Sequence, residues 1–339
     1  MKISDRAVLA QLAQDHGIIF QHPVKDFADL QMALDAQPTA ITTANSGILN
    51  ILASYVDPKT IDVLFAPKRA TEIFSEEKIA DWVTPVAYFP LVEKMGQTTS
   101  YDDYADNGSS TANINWENRQ QYYFQTMLEL GEREIEMAGK GRFDIVSATQ
   151  QASVEAIDRF QNKSYFYGIS GLKNYGILND PNLYAAIAPN TVNSQTTWVN
   201  KDSVAIIHDV TKLISQLILQ NNGLITIDSS FTLAMSPYIE GVMASAINQF
   251  GVNVLDELKK RYKNIKYIAA PEYATGSGQL VQAIADSIDG QQTGMCAFSE
   301  KLRSHPVDVR GTHYSQKKSA GTWGAIIKQP SAIAQMIGV

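Results

Sequence analysis

Apolar and polar positions change rhythm several times along this 339-residue chain. Residues 1 to about 80 alternate short helical stretches with turns and hold no dense apolar cluster. Asp26 to Leu30 begins an amphipathic piece, Asp57-Pro58 marks a turn, and Ile61, Val63, Leu64 and Phe65 offer a short apolar run for docking. This stretch reads as an N-terminal arm over 1–80 that packs on other chains, with a small helical subdomain as the alternative. From Trp82 to Phe89 the chain turns β-branched and aromatic, which predicts strand. A long polar run, Gly96 to Ser110, follows, and aromatic strand returns at Tyr122, Tyr123 and Phe124. Two strands around a polar tip predict an extended β-hairpin over 81–125. Isolated two-stranded hairpins are marginal in water, so such a projection implies a neighbour that holds it.

The period then becomes helical. Ala148, Ala152, Ala156 and Phe160 recur every four residues with Val154 and Ile157 beside them, predicting a helix over 144–166. Ser147, with Gln150 three residues on, is a candidate capping box. Gly168 and Gly171 end the helix, and Gly171 to Asn182 is rich in turn residues. The region 126–190 is expected to carry this helix as its spine. Residues 191–305 read as a compact α+β unit. Asp202 to Leu219 forms a helix with Ile206, Val210, Leu213, Ile214 and Leu217 on one stripe. Strands are expected at Leu224–Ile227, Phe231–Met235 and Ile265–Ala270, a helix from Ser236-Pro237 to Phe250, and a helical run at Leu280–Ile288. Two strand-like stretches, Trp323–Pro330 and Ala332–Ile337, close the chain in a segment over 306–339.

Composition narrows the class. The chain is 45% hydrophobic and 19% charged, an ordinary globular balance in a length sufficient for a sizeable core. Its one cysteine, Cys296, excludes an intrachain disulfide and suits a reducing compartment. Met1 to Arg6 runs into polar sequence without a signal-peptide apolar block. The apolar run Val86–Val92 is broken by Pro90 and falls far short of the ~20 residues that cross a bilayer, so no membrane partner is expected. A net charge of −7 argues against dedicated nucleic-acid binding, whose affinity comes from basic groups on phosphates. The charge is unevenly spread. Residues 81–144 carry 5 basic and 11 acidic side chains, whereas residues 301–339 carry 6 basic and 1 acidic. Opposite charge at two places on one self-associating chain helps copies recognise each other.

Catalytic patterns are weak. Gly171 to Gly176 has phosphate-loop spacing, but Ile177 and Leu178 stand where lysine and a hydroxyl residue belong. Thr275-Gly276-Ser277-Gly278 before a helical run could present amides to an anion, the basis of an alternative reading as an α/β enzyme for a phosphorylated ligand. His16, His22, His208, His305 and His313 lack metal-ligand spacing, and Asp102, Asp103, Asp106 and Asn107 read as a solvated tip ahead of a cation site. The expectation is no enzyme, no cofactor and no metal.

Four segments in order resemble the major capsid proteins of tailed bacteriophages with the Hong Kong 97-like fold, in a branch formerly of unknown function. These are Tyr101-Asp102-Asp103-Tyr104-Ala105-Asp106-Asn107, the turn from Gly168 through Tyr175 to Asn182, Thr232 to Tyr238, and Gly321 to Ala334 with Gly338-Val339. The resemblance covers about residues 80–339. It implies an α+β fold with an N-terminal arm, an extended hairpin loop, a peripheral domain around the spine helix, an axial domain over 191–305, and a C-terminal return to the peripheral domain. It also implies a virion shell protein, assembled in the host cytoplasm into pentamers and hexamers around double-stranded DNA that it does not read by sequence. Scaffold, portal and decoration proteins are the further partners it suggests. An encapsulin-type nanocompartment shell shares the fold and is the alternative. The charge pattern points to inter-subunit contact between Asp102, Asp103 and Asp106 of one copy and Lys317, Lys318 and Lys328 of another.

Overall fold

The computed structural model describes residues 67–104, 108–141, 144–192 and 195–339. Two sheets organise them. The first has the strand order β1-β11-β12-β4. Its long pair is β11 (Gly294–Arg310) against β12 (His313–Ile327), joined antiparallel from Gly294↔Ile327 to Arg310↔His313 with several bulges. Strand β4 (Tyr122–Gly131) pairs with the other edge of β12, and β1 (Glu76–Lys78) runs parallel to Cys296–Phe298 of β11. Beside β1 lies the short helix α1 (Ala70–Ile73), with Ala70, Ile73 and Phe74 buried. Residues 67–80 are therefore built into the body, which corrects an arm extending to residue 80. The readings at Asp26–Leu30, Asp57-Pro58 and Ile61–Phe65 lie outside the described residues.

Helix α2 (Glu132–Lys140) buries none of its side chains, and the spine, α3 (Ile145–Tyr167), crosses the first sheet. At 23 residues α3 is about 35 Å long. Its N-cap is Asp144, whose carboxylate accepts from the Ser147 amide at 3.0 Å. Ser147 thus lends only its backbone, and no capping box starts there. The buried stripe also differs from the expected one. Ala148, Ala152 and Ala156 are exposed, whereas Ser153, Ile157, Gln161, Asn162, Ser164, Tyr165 and Phe166 are buried. Alanine removes little apolar area from water, so its periodicity weighs little against partners with more to gain. Those partners are Lys318, whose ammonium donates to Ser153 Oγ at 2.8 Å and to the Gln150 carbonyl at 3.3 Å, and Thr322, 3.0 Å from Ser164 Oγ. Phe160 adds an aromatic contact, with its ring centroid 4.5 Å from that of Phe124.

Backbone fits tightly where the chain leaves the spine. Gly168 takes φ +61°, and a Cβ there would stand 2.3 Å from the Asn174 carbonyl oxygen. Gly324 in β12 takes φ +75° with a virtual Cβ 2.3 Å from the Tyr175 carbonyl oxygen. Only glycine lets the turn after α3 lie between the helix end and β12.

The second sheet has the order β13-β8-β5-β6, with β7 (Ala274–Thr275) pairing β8 off that path. Strands β5 (Phe231–Met235) and β6 (Ile265–Ala269) are parallel, and β8 (Gly278–Ala285) lies between β5 and β13 (Ile333–Ile337). Helices α4 (Ser203–Gln220), α5 (Pro237–Ser245) and α6 (Val254–Arg261) accompany it. Helix α4 buries Ile206, Ile207, Val210, Leu213, Ile214 and Leu217 in the largest core cluster. Six such side chains contribute roughly 9–18 kcal/mol of gross burial, against about 1 kcal/mol for a cap, so packing sets this helix.

Three expectations in this half fail. Leu224–Ile227 is a turn, with Leu224 and Ile227 exposed and only Ile225 buried. The helix opened by Ser236 stops at Ser245. Leu280–Ile288 is strand, continued by the two-residue β9 (Ser287–Ile288) paired with β10 (Gln291–Gln292). A strand covered on both faces reads as a continuous apolar run, which mimics a buried helix. The C-terminal segment divides between the sheets, since β12 belongs to the first and β13 to the second.

Candidate inter-subunit surfaces

The hairpin is made of β2 (Val86–Gln97) and β3 (Ser109–Gln120), which pair without interruption from Val86↔Gln120 to Gln97↔Ser109. The return strand is β3. Tyr122–Phe124, expected to close the hairpin, instead starts β4, because the Tyr122 and Phe124 rings pack on Phe160 of the spine. Twelve residues per strand give a projection about 40 Å long. It forms a sheet of its own. Directly paired residues share a face. One face therefore presents Tyr88, Pro90, Val92, Ile114 and Trp116, all exposed, with Trp116 at 61% and Tyr88 at 62%. Alternation at Tyr88-x-Pro90-x-Val92 and Ile114-x-Trp116 carried this stripe in the sequence, where it went unread. An apolar stripe bare on a two-stranded ribbon marks an interaction surface.

At the base of this projection sits Arg119, fully buried. Its guanidinium donates to Asp180 at 2.7 Å and to Glu117 at 2.9 Å, and lies 4.6 Å over the Tyr175 ring. The Gln120 backbone amide donates to the Lys173 carbonyl, the Lys173 amide donates to Gln120 Oε1, and the Asn174 side-chain amide donates to the carbonyls of Gln120 and Thr322. These contacts fasten the hairpin to the turn after the spine. Nothing in the spacing of Arg119 and Asp180 announced the pair, which joins positions 61 residues apart.

The charged residues expected to meet across subunits occupy different settings. Asp102 and Asp103 are exposed on the tip between Tyr101 and Tyr104, which are 90% and 99% exposed. Asp106 lies outside the described residues. Lys328 is exposed, and Lys317 is half-buried on the face of β12 opposite the spine. Lys318 is withdrawn, because its ammonium is buried against Ser153 and Gln150 of its own chain. Lys328 lines a groove of about 610 Å³ between the hairpin and the body, together with Trp116, Lys173, Tyr175, Tyr184 and Pro330.

The remaining candidate chemistry changes character. Thr275 to Gly278 is the turn of the β7–β8 pair, so no helix amides point from it toward an anion. Cys296 is buried, and burial pushes its thiol well up. Among the described residues no group of three or more His, Cys, Asp or Glu side chains could hold a metal ion. No described helix is long and apolar enough to cross a membrane.

Comparisons place this architecture among viral shells. The fold is similar to the capsid of Myoviridae phage XM1, with a TM-score of 0.73 at 16% identity over 86% of this chain and 99% of that one. The capsid of the native GTA particle gives a TM-score of 0.58 at 13% identity, covering 87% of this chain and 99% of that one. Gordonia phage Cozz gives 0.57 at 10% identity, covering 94% and 98%. These likenesses show a Hong Kong 97-like capsid fold. No curated protein sequence matches the chain. A family model described as Pa193 gp26 major capsid protein matches residues 39–338, which favours a phage shell over a nanocompartment. With nearly the whole sequence under that match, the chain belongs to the Pa193 gp26 major capsid protein family.

Proposed function

We propose that this structural capsid-shell protein assembles with copies of itself into pentamers and hexamers, and that these close the icosahedral head around phage double-stranded DNA. The observation that carries the reading is the hairpin. Among the described residues its strands have no third partner, and its apolar stripe stays exposed. A sister subunit supplies the missing cover, and closure into a symmetric shell engages many modest contacts at once. The body around the spine takes the peripheral position, and the body around α4 and the second sheet takes the axial one. Assembly takes place in the host cytoplasm, with scaffold, portal and decoration proteins as additional partners. The acidic hairpin of one copy, through Asp102, Asp103 and Asp106, faces the basic C-terminal surface of another, through Lys317 and Lys328. An acidic chain suits a container for DNA, because tight contact with phosphates would hinder packing and release. Negative-stain microscopy of the expressed protein tests the reading: closed shells or capsomer rings are expected. Solitary particles at every protein and salt concentration would overturn it.

A further inference from the structure

We infer that residues 67–79 are a releasable strap: seated, they lock the first sheet to the second, and released, they free the two to turn against each other. The inference goes beyond the shell reading and concerns one subunit alone. Three observations carry it. First, the strap is the wedge in the seam between the sheets. Its buried Ala70, Ile73 and Phe74 share one apolar cluster with Ala234, Ile268 and Ile284 of the second sheet and with Cys296 and Ile327 of the first. Polar contacts reach the same sides. The Ala70 amide donates to Asn162 Oδ1 of the spine at 3.2 Å, and the Lys266 ammonium of β6 donates to the Glu72 carbonyl at 3.0 Å. The Cys296 amide of β11 donates to the Ser75 carbonyl at 2.8 Å. Just past β1, the Trp323 indole of β12 donates to the Ile79 carbonyl at 3.0 Å.

Second, the strap is lightly held for a wedge. Its helix has four residues and its strand three, too few for either to persist without the surfaces they lie on. At its start Lys68 pairs with Glu155 at 2.9 Å and Asp158 at 3.4 Å, all three about a third exposed, and pairs so open to water contribute little. Cavities flank it on both sides, about 130 Å³ against the spine and about 220 Å³ against the second sheet, where a close-packed seam would leave none. The strap ends on Ala80 at φ +54°, a left-handed conformation that is unfavourable for alanine and that release relaxes. A segment with these traits opens ahead of the fold as a whole.

Third, the strap has a handle and a reporter. The chain ahead of it, residues 1–66, joins it through one covalent link at Pro67, so whatever holds that chain pulls on the strap. Under the strap lies Cys296, fully buried, with its thiol 3.8 Å from the Ala70 carbonyl oxygen. Opening uncovers the only thiol of the sequence.

N-ethylmaleimide labelling of Cys296 in capsomer-free subunit, followed by mass spectrometry, reads the opening directly. Lys68→Ala should speed labelling about two- to fivefold, and Asn162→Ala, which strands the buried Ala70 amide, about tenfold. Ala80→Gly should slow it, because the seated strap then carries no backbone strain. Asp144→Ala weakens the spine cap away from the strap and should leave the rate unchanged. If Asp144→Ala speeds labelling as much as Asn162→Ala, the thiol is reached only by global unfolding and no separate strap exists. Equal rates in all four variants and the parent would also overturn the inference. Hydrogen exchange tests the lock itself: amides of β5 and β8 should exchange faster in step with labelling. Faster labelling with unchanged exchange there would mean a strap that opens without freeing the sheets, and would refute the lock. All of these readings use a single subunit, so a failure to form shells leaves them intact.

Discussion

Replacing Arg119 should damage the protein out of proportion to what the Arg119–Asp180 pair contributes. Both side chains are almost fully buried, at 0% and 1% exposure. Taking two ions out of water costs several kcal/mol each, so the intact pair is close to neutral against an apolar alternative. Arg119 also leaves Nε and Nη1 without partners, which weakens its net contribution further. Removing one partner is different, because the other charge stays behind. In Arg119→Ala the Asp180 carboxylate keeps only the Asn182 amide at 3.0 Å, and the ring contact with Tyr175 is lost. Breaking a buried pair this way costs about 3–5 kcal/mol. With an unfolding entropy of roughly 2.1 cal/mol/K per residue, that lowers the melting temperature of the unassembled subunit by about 4–7 °C. The double variant Arg119→Met/Asp180→Asn removes both charges at similar volume and should recover most of the loss. Differential scanning calorimetry on capsomer-free subunit at low concentration measures all three. A melting temperature for Arg119→Ala within 1 °C of the parent, or a double variant no better than the single, would refute the reasoning.

The spine cap gives a second measurement. Asp144→Ala should cost about 1 kcal/mol in urea unfolding, while Ser147→Ala should change stability by no more than a few tenths, since only its amide is used; equal losses would restore the capping box. Glu272 gives a third, through pH. Burial is the leading cause that raises its carboxyl above the ordinary value, partly offset by backbone and Asn162 hydrogen bonds. A carboxyl raised in the folded state binds its proton more tightly folded than unfolded, so stability falls as pH rises from the unfolded value through the folded one. Glu272→Gln should keep the Asn162 bond and remove that fall; a melting curve as pH-dependent as the parent's between pH 4 and 7 would contradict it.

Helix α4 was legible because its apolar stripe is wide and the core claims all of it. The hairpin was legible as a kind of element, from β-branched and aromatic residues around a polar run. Its return strand was misplaced because Ser109–Gln120 is mostly polar, with only Ala112, Ile114 and Trp116 apolar on one face, while the aromatic Tyr122–Phe124 next to it looked the stronger strand. The spine misled at side-chain level for the opposite reason. Its alanines kept helical period but carry little burial energy, and the side that packs is written in Ser153, Gln161 and Ser164, whose partners lie more than a hundred residues away in β12 or within the helix itself. Charge was legible as a bias between segments but not as accessibility, since Lys317 and Lys318 are adjacent and alternate to opposite faces of one strand. The groove could not be read at all. It brings together residues 115–118, 173–184 and 327–331, and no local pattern encodes that meeting.

The two bodies differ in what holds them, and the difference falls where direction matters. Around α4 the core is a continuous apolar cluster from Trp198 to Val339, held by contacts that are strong in sum and indifferent to small rotations. Between the spine, the first sheet and the hairpin base, a small apolar cluster of Met295, Ala297, Trp323 and Ile326 with Ala87 and Phe89 is supplemented by many buried polar pairs: Lys318 on Ser153, Ser164 on Thr322, Gln121 on Ser299, Asn174 on Gln120 and Thr322, Arg119 on Asp180. Hydrogen bonds weaken steeply with angle and tolerate only a few tenths of an ångström. A lever about 40 Å long multiplies any error at its root, since a tilt of 10° moves the tip by about 7 Å. That displacement exceeds a side-chain contact, so a hairpin rooted in apolar contacts alone would find its neighbour's surface only by chance. Rooted in directional bonds, it leaves the body already aimed. The cost is borne locally, in the unpartnered atoms of Arg119, Gln121 and Asn174 at the same root, where apolar packing would have been more stable and less exact in direction.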